Sequence, residues 1–173
     1  MMLKNPIVKV AVKYGAIGGL LAIILLIVLY AVGQNPLLST KKIPFGIILI
    51  PLLVFFSIKE FRDYFNNSEL RFWQGLVIGF VNYLIIALIS AAFIWVFLTY
   101  YDQEILKELI NFNVLNFEQN KTGFIETFDQ ATYNKVLADI RKTTVHHIAL
   151  DDFVRKMLIG FISTFIISIF LRK

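Results

Sequence analysis

Four stretches of this chain contain no Asp, Glu, Lys, Arg or His: Tyr14 to Thr40, Ile43 to Ile58, Phe72 to Tyr101 and Met157 to Leu171. Such runs constrain the fold more than any motif, because backbone inside a lipid bilayer has no water to bond and must satisfy each N–H and C=O internally. At 1.5 Å per residue a helix needs roughly 20 residues, with about 17 as the short limit, to cross the hydrocarbon core. Tyr14 to Val32 meets that length, and Phe72 to Tyr101 exceeds it, so the third helix is expected to tilt or to project beyond the lipid. The second run reaches a full span only by taking in Lys41 and Lys42, whose stems can snorkel to the interface. The last helix is expected to begin earlier, near Ala149 to Asp152, with Arg155 and Lys156 at headgroup level. The predicted class is an all-α membrane protein with four transmembrane helices, three being the alternative count, and a mainly helical extracytoplasmic insertion between helices 3 and 4. The expected segments are 1–101 for the first three helices, 102–156 for the insertion, and 157–173 for the fourth helix and a basic C-terminus.

Composition agrees with that class. Apolar residues make up 58% of the chain and charged ones 17%, with a mean hydropathy of +0.72, which excludes a free soluble enzyme. Absence of cysteine excludes disulfides, cysteine-zinc sites, iron-sulfur clusters and a cysteine nucleophile. Ala31, Val32 and Gly33 superficially resemble a signal cleavage site, but the apolar run before them is longer than a signal h-region, so an uncleaved anchor is expected.

Orientation follows from basic residues in short loops. Lys4, Lys9, Lys13, Lys59, Arg62, Arg71, Arg172 and Lys173 lie on one side, against Lys41 and Lys42 on the other. That asymmetry predicts a cytoplasmic N-terminus and C-terminus. The insertion carries seven basic and nine acidic residues and exerts little control over topology. The net charge of +5 is therefore read as contact with anionic lipid headgroups rather than with nucleic acid.

Small residues recur on the helices at spacings of four and eight. Gly15 and Gly19 form one small-xxx-small pair, while Gly75, Gly79, Ala87 and Ala91 form a longer stripe with Asn82 close to its face. Such stripes let helix backbones approach closely, within the monomer or in a homodimer. Pro51 removes a backbone donor in mid-helix and predicts a kink, which Ser57 could partly repair. Asn82 is expected to make one interhelical hydrogen bond. Trp73, Trp95, Tyr100 and Tyr101 sit where aromatic belts belong. Asn66 to Ser68 reads as a turn, with Ser68 capping the third helix and Arg62 pairing with Asp63 or Glu69. In the insertion, Ile105, Leu106, Leu109, Ile110 and Val114 predict one amphipathic helix. After a break at Asn120 to Gly123, Tyr133, Val136, Leu137 and Ile140 predict another.

Reactive constellations are scarce. His146 and His147 are adjacent and point about 100° apart on a helix, a poor chelating pair even with Asp151 nearby. Carboxylates such as Glu104 with Glu108, or Glu126 with Asp129, read as wetted helix faces. No phosphate loop, dinucleotide fingerprint or nucleophile elbow occurs. No catalytic residue, metal or cofactor is expected.

The stretch from Ile58 to Gly79, with Arg62, Asp63, Phe72, Gln74 and Gly75 at its key positions, resembles the hairpin of the bacterial membrane-protein family catalogued as domain of unknown function 4199. The resemblance implies a bacterial inner-membrane protein with four helices and a long segment before the last helix. It implies no activity. The expectation is a non-enzymatic accessory or scaffold subunit of an envelope complex, with membrane lipids and a membrane-protein partner or a second copy as partners. A small lipid- or solute-handling carrier, with a pocket at Pro51 and Asn82, is the alternative. An enzyme acting through Asp102, Glu104 or the histidines ranks third.

Overall fold

Apolar runs of this length become helices because an α-helix pairs its own backbone. The computed structural model describes residues 5–38 and 45–172, with the side chains of 45–47 excepted, and its regular structure there is helical. The helices are α1 (Pro6–Ala31), α2 (Phe45–Phe65), α3 (Phe72–Tyr100), α4 (Glu104–Gln119), α5 (Lys121–Thr127), α6 (Gln130–Arg141) and α7 (Val145–Leu171). Three of them, α1, α3 and α7, are long and apolar enough to cross a membrane. In α2, Lys59, Glu60, Arg62 and Asp63 all fall within the last seven residues, so its apolar part is shorter.

Local chemistry sets the helix ends. The Asn5 side chain accepts from the Ile7 amide at 3.0 Å, and Pro6 follows, so α1 starts more than two turns before the charge-free run at Tyr14. Gly33, at φ +74°, closes the far end with its N–H donating to the Tyr30 carbonyl. Asn67 and Ser68 have positive φ and form the α2–α3 turn. Ser68 does not cap α3. That cap is Arg71, whose amide donates to the Gln74 side chain at 2.9 Å. Nor does α7 wait for Ala149: the Thr144 amide donates to His147 Nδ1 at 3.2 Å, and the helix starts at Val145 and runs unbroken past residue 157. In the cap region the break falls at Asn120 alone, and Gly123 lies inside α5. α2 continues as one helix through Pro51.

α3 is the central member and packs against α1, α2 and α7. The main core joins Val10 and Ala11 of α1, Ile50, Val54 and Ile58 of α2, and Ile78, Tyr83 and Ile86 of α3. A second cluster at the other end holds Ile94 and Leu98 of α3 with Ile105 of α4, flanked by Leu26, Tyr30 and Leu37. Outward faces of α1 and α7 expose Leu20, Ile24, Phe161, Phe165 and Ile169, an apolar surface suited to lipid. Beyond this bundle, α4, α5 and α6 form a small cap. Its centre is aromatic: the Phe117 and Tyr133 rings stack 4.9 Å apart, with Phe124 edge-on to Phe117 at 5.0 Å.

Candidate functional site

The face of α3 that meets its neighbours is built from small residues, and the glycines face side chains directly. A methyl at Gly75 would overlap Ser168, one at Gly79 would overlap Thr164, and one at Gly160 would overlap the ring of Tyr83. α3 and α7 thus interlock through Gly75, Gly79 and Tyr83 on one helix and Ser168, Thr164 and Gly160 on the other. On the opposite flank, a Cβ at Gly15 would lie 2.9 Å from Ile85, and one at Gly19 would lie 2.7 Å from Ile89. Ala87 is fully buried. These small residues are therefore occupied by contacts inside the monomer.

Polar groups punctuate the same packing. Asn82, fully buried, donates to Ser57 Oγ at 3.0 Å and to the Leu53 carbonyl at 3.3 Å, tying α3 to α2. Ser57 in turn donates to the Val54 carbonyl. Nearer the cap, Ser90 Oγ donates to Asp152 at 2.9 Å, and Asp152 pairs with Lys156 one turn on. The Lys156 and Asp152 side chains are only 13% and 23% exposed, so this ion pair is partly enclosed between α3 and α7. Two signals announced it: the four-residue spacing of Asp152 and Lys156, and the polar Ser90 on the α3 stripe.

At the end of the bundle opposite the cap, Glu60 accepts from Lys13 at 2.8 Å and from Tyr14 at 2.7 Å, joining α2 to α1. Arg62 pairs with Asp63 at 2.7 Å. Lys9, Lys59, Arg71 and Arg172 are exposed, and Lys59 lies over the Phe55 ring. Lys4 and Lys173 lie outside the described residues, as do Lys41, Lys42 and Pro44. At the cap end, Tyr30 donates to Asp102 at 2.9 Å, and Asn35 donates to the Ile105 carbonyl and to Glu108.

Several other carboxylates and a histidine have local partners. Glu104 pairs with Lys107, Asp151 with Arg155, and His146 lies 6.0 Å from the Trp95 ring. Among the described residues, no three His, Asp or Glu side chains gather into a possible metal site. Asp129 caps α6: the Thr132 amide and hydroxyl donate to it at 2.6 and 2.9 Å and hold its carboxyl below the usual range.

A groove of about 540 Å³ runs along the outer side of the α3–α7 junction, lined by Phe80, Tyr83, Phe153, Met157, Phe161 and Thr164 among others. Neither Pro51 nor Asn82 lines it. The sequence placed a pocket at those two residues. Close packing of Asn82 against Ser57 and Leu53 uses that face up, and the open volume forms between Phe80 and Tyr83 of α3 and Phe153, Met157 and Phe161 of α7. Equal spacing of Gly160, Thr164 and Ser168 was the unread signal for the α7 half of this junction.

No curated protein matches this chain, and no solved structure does. A family described as protein of unknown function matches residues 13–173, covering every helix from the second turn of α1 onward. The chain belongs to that family, DUF4199.

Proposed function

We propose that this protein is a non-enzymatic integral membrane subunit that serves as an accessory or scaffold element of a bacterial envelope complex. In this reading α2 crosses the membrane with α1, α3 and α7, both termini are cytoplasmic, and the cap lies outside. The observation that carries the proposal is the cap itself. Its helices pack around their own aromatic centre, yet Leu115 and Phe128 remain 59% and 63% exposed. Exposed apolar side chains on a water-facing module suit a protein partner. Purification from native membranes in a mild detergent, followed by mass spectrometry, should recover a stoichiometric protein partner. Combined Leu115→Ser and Phe128→Ser replacement should release that partner while the unfolding temperature of the bundle holds. A chain that purifies alone would overturn the scaffold reading.

The groove between α3 and α7 favours a second reading, a small carrier of a membrane-soluble molecule. Enrichment of one lipid-like compound with the purified chain is its expected result, and a lipid profile identical to the bulk membrane would remove it.

A further inference from the structure

The groove is apolar except for two hydroxyl-bearing residues. Tyr83 is 3% exposed and Thr164 is 2% exposed, and both line it. Thr164 Oγ1 is buried against Gly79 of α3 and is not open to the groove, whereas the Tyr83 hydroxyl has no hydrogen-bond partner among the described residues. Burying such a group unpaired is costly, and the cost rises where no water can reach. The Tyr83 ring is fixed in place by Gly160, where any side chain would collide with it, and by Phe80, edge-on at 5.6 Å. A phenol held this rigidly is a prepared donor.

Depth narrows what the donor meets. Tyr83 lies eleven residues along α3 from Phe72, which is about 16 Å at the helical rise and near the middle of a core roughly 30 Å thick. Phospholipid ester and phosphate oxygens lie at the two interfaces, so at this level a phospholipid offers only its acyl chain. A ligand that brings an acceptor to the midplane must be soluble in the bilayer interior and carry a carbonyl on an apolar body. The aromatic lining of Phe80, Phe153 and Phe161, with the polarizable Met157, suits a flat conjugated ring. About 540 Å³ falls within the usual range for a ring with part of a tail.

We propose that the α3–α7 groove binds a lipid-soluble quinone, whose ring carbonyl accepts a hydrogen bond from Tyr83. This names the ligand class of the carrier reading, on which it rests, and stands apart from the scaffold reading. The probes are decyl-benzoquinone and decylbenzene, which share ring and tail and differ in the carbonyls. Each is titrated into the full chain in nanodiscs while fluorescence of Trp73 and Trp95 is followed. Saturable binding of the quinone, at least about tenfold tighter than decylbenzene, is expected. Tyr83→Phe keeps the packing and should weaken quinone binding roughly three- to tenfold, leaving decylbenzene unchanged. Equal affinity for the two probes, or for parent and Tyr83→Phe, would overturn the quinone assignment and leave an apolar-chain carrier standing. No saturable binding of either probe would overturn both.

Discussion

Individual glycines divide this chain into places that tolerate a side chain and places that do not. At Gly79 a methyl overlaps Thr164, whereas at Gly123 it meets nothing within 4 Å on α5. Gly79→Ala should therefore destabilise the protein by about 1–3 kcal/mol through overpacking. Gly123→Ala should leave stability unchanged or raise it by up to about 1 kcal/mol, through helix propensity. Thermal unfolding of both variants in one detergent checks the pair, and equal shifts would contradict the packing described. Asp129 gives the expected pH response at residue scale. Its ordinary pKa is about 3.9, and the Thr132 hydrogen bonds lower it in the folded chain. Its stabilisation of α6 is thus complete above about pH 3.9 and fades as pH falls through the lowered value. Amide exchange in the first turn of α6 should accelerate over that acidic range in the parent, and Asp129→Ala should remove that pH dependence.

At the scale of elements, the sequence carried the helices more clearly than their ends or their pairing. Charge-free runs located α1, α3 and α7, because apolar length is a direct physical requirement. Their ends moved outward where a side chain offered a cap, as Asn5 and His147 do, since one hydrogen bond extends a helix regardless of hydropathy. The Gly75–Gly79 stripe was visible, but periodicity names a face without naming its occupant. Two further groups were legible only in part. Asp152 and Lys156 showed only their four-residue spacing, since one helix does not name the Ser90 that joins them, and the groove beside Tyr83 needs two helices to define it. The α3–α7 pairing can be fixed directly, since the parent chain has no cysteine. Gly75→Cys with Ser168→Cys should form an intramolecular disulfide in the monomer on mild oxidation, since the two Cβ positions lie 2.9 Å apart and a parting of the helices by about 1 Å brings them into disulfide range. A covalent dimer as the main product on a denaturing gel would assign the stripe to a second copy instead.

For the whole molecule, the arrangement gathers the N-terminal end of α1, the α2–α3 turn and the C-terminal end of α7 at one end, and the cap at the other. With four helices crossing, cysteine placed at Gly123 should react with an impermeant maleimide in intact cells, whereas Arg172→Cys should react only after permeabilisation. Labelling of both from outside would contradict the four-span topology. α3 also meets its partners at very different times during synthesis. Helices α1 and α2 precede it, but Gly160, which seats the Tyr83 ring, comes 77 residues later, after the whole cap. At bacterial and eukaryotic elongation rates together that interval is about 4–15 s. Throughout it the Gly75–Gly79 face has no α7 to close it, so the nascent protein is most exposed to wrong pairing and to membrane proteolysis just before its last helix arrives.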